Sequence, residues 1–132
     1  MYQQTSIIDF PKIGNSIEGY ISVAENKTLP FEVKRVYWTY FTPESVMRGG
    51  HAHHRLELIL VAVAGKIIVT TQIPGDADRR TILETAHQWI LLPKYCWHNM
   101  QYSHNSVQMC ITNMALKEPG YINEYQELKR IV

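Results

Sequence analysis

The sequence predicts an all-β domain built as a sandwich or barrel, and three observations carry that prediction. Short runs rich in β-branched and aromatic residues recur along the chain, with Gly, Pro and Asp turn signals between them. No segment before the C-terminal tail repeats its apolar residues at helical spacing. The chain has 132 residues, enough to bury most of one core but not two. Residues 1–132 therefore read as a single domain, without internal repeat, low-complexity tract or linker. Closure of the sheet would protect so many short edges from pairing with neighbouring molecules.

The elements follow in order. Ile7-Ile8-Asp9-Phe10 is short and apolar, and Pro11 ends it. Residues 19–24 form a second candidate strand. Residues 33–41 are rich in aromatic and β-branched side chains, a strong strand signal, and Pro43, Glu44 and Ser45 mark the loop after them. Residues 56–64 are nearly all apolar, so this strand is expected to be covered on both faces. Gly65-Lys66 is a turn, and 67–73 returns from it. Pro74-Gly75-Asp76 opens a polar loop that runs to Arg80. Further strands are expected at 81–84, 89–92, 98–101 and 107–113. In the tail, Ile122, Tyr125, Leu128 and Ile131 recur at helical spacing, which predicts a short C-terminal helix.

A formal net charge of +1 gives no electrostatic case for nucleic acid or an acidic membrane. An anionic ligand must then be held by a local cluster of basic residues. Met1-Tyr2-Gln3-Gln4 lacks the basic and apolar regions of a signal peptide, and no apolar run is long enough to span a bilayer. Cys96 and Cys110 lie in apolar stretches, outside any CxxC pair, as buried free cysteines do. The reading is a cytoplasmic protein with reduced thiols, a single Cys96–Cys110 bridge being the alternative.

The chemistry-bearing feature is a set of histidines. His51 and His53 lie two apart, so on a strand both rings point to one face. Glu57 follows, and Pro93, Tyr95 and His98 come later. This pattern resembles the two signature motifs of the cupin superfamily, which implies a jelly-roll β-barrel. The His-x-His-x-x-x-Glu spacing is kept, while Tyr95 replaces the glycine of the second motif. A wider resemblance runs over nearly the whole chain. Val33-Lys34-Arg35-Val36-Tyr37, Arg48-Gly49-x-His51-Ala52-His53, Leu56-Glu57 and Trp97-His98 are similar in order to the nucleotide-sugar 3,4-ketoisomerases of the WxcM-like family. The chain departs from that pattern at Gly50, His54, Leu58, Asn99 and Asn123.

That resemblance implies a cytoplasmic homodimeric isomerase acting on a dTDP-4-keto-6-deoxyhexose, with no metal or other cofactor. The C3 hydrogen of a 4-keto sugar is acidic because it lies α to the carbonyl. A base with a pKa near neutrality can remove it, and histidine meets that requirement. By resemblance His51 is the main acid and base, His53 relays protons or polarises substrate oxygens, and Tyr37 serves an enediol oxygen. Arg48, Arg35, His98 and Glu57 are the substrate-binding candidates, with Lys94 a further phosphate candidate. Two other readings stay open at this point. His51, His53, Glu57 and His98 are the right types for a metal-dependent cupin enzyme, and a non-catalytic nucleotide-sugar-binding domain would use the same pocket. His87 and His104 sit in polar stretches and read as surface residues, and Arg79-Arg80 as a solvated hairpin end.

Overall fold

The computed structural model describes residues 3–115. They form eleven strands: β1 (Ser6–Asp9), β2 (Lys12–Asn15), β3 (Gly19–Ser22), β4 (Arg35–Tyr40), β5 (Met47–His51), β6 (Leu58–Ala64), β7 (Ile67–Gln72), β8 (Arg79–Leu83), β9 (Gln88–Leu92), β10 (Trp97–Tyr102) and β11 (Val107–Thr112). One sheet has the order β1-β9-β6-β11-β4 and a second the order β5-β10-β7-β8, while β2 and β3 form a separate hairpin. Every pairing is antiparallel. From β8 to β11 each successive strand changes sheet, which makes a jelly-roll sandwich of the all-β class expected. The helix expected in the tail lies outside the described residues.

Strand period decides what each sheet buries. On β6, Leu58, Leu60 and Ala62 face the space between the sheets, where they join Ile67, Val69, Leu83, Ile90 and Leu92. Ile59 and Val61 point to the other face and are equally buried. There Phe10, Leu29, Phe31, Val33 and Trp89 cover them. The two-sided cover expected for this strand is thus supplied by the chain itself as far as Ala62; Val63 and Ala64 are exposed. Each fully buried Ile or Leu contributes roughly 1.5–3 kcal/mol relative to exposure. On β7 the alternation is regular, with Ile67, Val69 and Thr71 buried and the residues between them half-exposed.

Two strands carry little sequence signal. β2 is four residues long with Gly14 inside it, and β5 begins Met47-Arg48-Gly49-Gly50. Both are held by their partners rather than by propensity. Cys96 and Cys110 are free and buried, so the alternative disulfide does not form. Burial pushes both thiols up to about 12. Among the described residues no helix is long and apolar enough to cross a membrane.

Candidate active site

The site is built around an irregularity in β5. Its pairing with β10 matches His51 to His98 and Gly49 to Asn99, so one residue, Gly50, is extra on the β5 side. In a regular strand Arg48 and His51 would face opposite ways. The inserted residue reverses the parity, and both side chains reach the same cavity. The bulge requires glycine. Gly49 has φ +96°, and a Cβ there would stand 2.7 Å from the carbonyl oxygen of His98; Gly50 has φ +74°. β5 then ends at His51. Ala52 is fully buried, and His53 lies just beyond the strand, its carbonyl accepting a 2.8 Å hydrogen bond from the Tyr95 amide. Tyr95 itself has φ +62°, the left-handed conformation that the motif's glycine would adopt without strain.

The three histidine rings meet. Ring centroids are 4.8 Å apart for His51 and His98, 5.2 Å for His51 and His53, and 6.0 Å for His53 and His98. His98 is 1% exposed. Its Nδ1 lies 3.0 Å from the Cys96 carbonyl, which can only accept, so Nδ1 carries the proton. Nε2 then presents a lone pair, and it is buried without a hydrogen-bond partner. Burial lowers the pKa of His98, against a smaller opposing effect of the Cys96 carbonyl, and the ring is therefore neutral at pH 7.

The histidines open into a cavity of about 230 Å³ between the sheets. Arg35, Tyr37 and Thr39 line it from β4, where alternate residues share one face. Arg35 stacks over the Tyr37 ring at 4.6 Å. Leu56, Leu58, Leu60 and Met100 supply an apolar wall. Tyr102 and Gln108 stand at the buried side, with the Gln108 side chain beside the Tyr102 phenol. Burial pushes the Tyr102 phenol up to about 12, so it stays a donor. Among the described residues the lining holds two guanidinium groups and no carboxylate, an electrostatic setting for an anion or for developing negative charge.

Of the residues singled out in the sequence, His51, His53, His98, Tyr37, Arg48 and Arg35 come together here. Glu57 does not. It has the opposite parity to Leu56 and Leu58, and its carboxylate accepts from the Asn113 amide at 3.4 Å. Glu57 therefore does not complete the four-ligand set of a metal-dependent cupin: among the described residues the cluster that converges is His51, His53 and His98. Lys94 is exposed and outside the lining. His104 is exposed as expected, but His87 is half-buried in an apolar recess beside Phe10 and Tyr20. Sequence reasoning missed Thr39, Tyr102, Gln108 and Thr112. The readable signal was the polar alternation Gln108, Thr112 on an otherwise apolar β11.

Comparison with known proteins agrees with this geometry. The family description FdtA, WxcM-like, C-terminal, matches residues 3–132. A TDP-4-oxo-6-deoxy-α-D-glucose-3,4-oxoisomerase from Aneurinibacillus thermoaerophilus is 30% identical over 130 residues, covering 98% of this chain and 93% of the relative. The crystal structure of a 3,4-ketoisomerase from Helicobacter canadensis superposes with a TM-score of 0.91 at 27% identity, over 98% of both chains. A TDP-quinovose 3,4-ketoisomerase from Campylobacter jejuni gives 0.89 at 25% identity, over 97% of this chain and 98% of that one. With the match spanning both sheets and every histidine of the cavity, this chain belongs to the FdtA, WxcM-like C-terminal family.

Proposed function

We propose that this protein is a nucleotide-sugar 3,4-ketoisomerase that moves the ketone of a dTDP-4-keto-6-deoxyhexose from C4 to C3. The observation that carries the reading is the cavity itself: three clustered imidazoles, two arginines and two tyrosines, with no carboxylate among the described lining residues. It suits proton transfer at carbon with stabilisation of an oxyanion. At about 230 Å³ it is smaller than the about 300 Å³ at which drug-sized pockets begin. It would take the sugar ring and leave the nucleotide at the mouth.

In the proposed mechanism His51 takes the C3 proton. The C3–H electron pair forms the C3–C4 double bond, and the C4 carbonyl pair moves onto oxygen. Tyr37 hydrogen-bonds that oxygen and supplies a proton, giving the enediol. The C3 hydroxyl then returns a proton to the Tyr37 phenolate, the O–H electrons form the C3 ketone, and the C3–C4 double-bond pair takes a proton at C4 from His51 or His53. Atoms and electrons balance, so the isomerisation consumes no oxidant or reductant. His53 relays protons. His98, held neutral with Nε2 inward, accepts a hydrogen bond from a substrate hydroxyl. Arg48 and Arg35 offset enolate or phosphate charge.

The protein is further proposed to be a cytoplasmic homodimer. Exposed apolar side chains gather on the outward face of edge strand β4, where Trp38 is 59% exposed beside Val36 and Tyr40, and on the β2–β3 hairpin, with Ile13, Tyr20 and Ile21. Exposed apolar clusters of this kind mark interfaces. β1, with Ile7 and Ile8 exposed, is the other free edge of the same sheet. The functional reading is tested by incubating the protein with dTDP-4-keto-6-deoxyglucose and following the carbonyl by NMR: a 3-keto product supports it, and unchanged substrate overturns it.

A further inference from the structure

Two buried polar side chains of the cavity take no part in moving the proton. We propose that Gln108 and Tyr102 form a hydroxyl-binding subsite that holds the C2 hydroxyl of the sugar while the ketone moves from C4 to C3. The identity of the ligand rests on the function proposed above; the preference of the pair for a hydroxyl does not.

The pair stands away from the histidines. His98, Met100 and Tyr102 are the buried residues of β10 and share its inward face. Tyr102 lies four residues beyond His98, about 13 Å along the strand. Gln108 enters from the start of β11, where it pairs with Thr39 of β4 and Ala62 of β6. Both side chains line the cavity, with Gln108 2% and Tyr102 4% exposed. Their setting is apolar: Leu60, Ala62, Ile67 and Met100 belong to the same core cluster as Tyr102.

A phenol carries one donor, and a primary amide carries two donors and a carbonyl acceptor. One hydrogen bond joins the two side chains. Among the described residues Tyr102 Oη and Gln108 Oε1 have no partner beyond that pairing. The amide thus keeps capacity that the contents of the cavity must meet, since buried polar groups are costly when left unpaired. Gln108 Oε1 accepts, so its ligand must donate. Phosphate and ketone oxygens do not donate; a hydroxyl does, and it also accepts from the amide or the phenol. The sugar ring of a dTDP-4-keto-6-deoxyhexose has hydroxyls at C2 and C3. The C3 hydroxyl belongs to the reacting atoms beside the histidines, which leaves the C2 hydroxyl. That group is unchanged by the isomerisation, so a hydrogen bond there orients the ring without opposing the reaction.

The test measures the affinity of the full chain for dTDP-glucose, dTDP-2-deoxyglucose and dTDP by calorimetry; none of the three carries a ketone to move. Wild type should bind dTDP-glucose about tenfold or more tightly than the 2-deoxy analogue, which leaves the pair unmet. In the double variant Gln108→Leu/Tyr102→Phe that ratio should fall toward one, with dTDP affinity unchanged. The double variant exchanges both partners for apolar groups of similar shape, so its urea midpoint should match or exceed the wild type's. Equal wild-type affinity for the two sugars, an undiminished ratio in the double variant, or a loss that falls equally on dTDP would overturn the subsite. Should the double variant fail to fold, Gln108→Leu and Tyr102→Phe singly carry the same comparison. Wild type that isomerises the keto sugar without a 2-hydroxyl preference keeps the function and removes the subsite; the preference without turnover does the reverse.

Discussion

Replacing Gly49 by alanine tests the link between the β5 bulge and the site. Two costs add. An L-residue in the left-handed region loses about 1–2 kcal/mol, and Gly49 sits at φ +96°. The new Cβ also meets the His98 carbonyl oxygen at 2.7 Å. That oxygen is backbone in the β5–β10 ladder and moves only if the ladder moves, so overpacking adds about 1–3 kcal/mol. The sum is roughly 2–5 kcal/mol, a large share of the stability of a small domain. Gly75 supplies the control: it has φ +82° and nothing within 4 Å of its Cβ, so Gly75→Ala carries the backbone cost alone. Urea unfolding of the two variants should therefore differ by about 1–3 kcal/mol, with Gly49→Ala the less stable. Its turnover should also fall, because relief of the clash shifts His51 against His98. Equal unfolding midpoints for the two variants, with full activity in Gly49→Ala, would refute the reasoning.

Other outcomes follow from the same structure. His51→Asn should lower turnover by about 10²–10⁴-fold while leaving nucleotide affinity nearly unchanged, read by steady-state rates beside calorimetry. Stability should fall on acidification: His98 has a folded pKa below its unfolded 6.5, so the unfolded chain binds the extra proton and stability is lost as pH drops from 6.5 toward the folded value. His98→Gln should flatten that slope in urea midpoints measured between pH 7 and 5. Ile90→Ala, at a fully buried position, should cost about 2–5 kcal/mol in denaturant unfolding. Sedimentation should show a dimer at micromolar concentration and a shift toward monomer in Trp38→Glu; a monomeric wild type would defeat the assembly reading.

The fold class was legible because β-strand patterning is local. The strands around 33–41, 67–73 and 89–92 announce themselves by β-branched and aromatic content, and each is a strand in the structure. β5 was not legible as a strand, because Arg48-Gly49-Gly50 has no strand propensity; β10 and the bulge create it. The histidines were found through spacing, although the parity argument was incomplete: His53 reaches the cavity from just beyond the strand, with the Tyr95 amide holding its carbonyl. Glu57 shows where spacing alone misleads. Its place in the motif pointed inward, but the parity of Leu56 and Leu58 turns it toward Asn113. Gln108, Tyr102, Thr39 and Thr112 escaped because a lone polar residue on a strand gains meaning only when the opposite sheet is known.

The central claim is that this cavity moves a ketone by histidine acid–base chemistry. The most direct measurement is NMR of dTDP-4-keto-6-deoxyglucose incubated in heavy water with wild-type protein and with His51→Asn. The expected result is a 3-keto product from the wild type, with deuterium entering at C4, and conversion slowed by at least about 10²-fold in the variant. Wild-type protein that binds the nucleotide sugar but leaves its C4 ketone in place, or a His51→Asn variant that converts it at the wild-type rate, would contradict it.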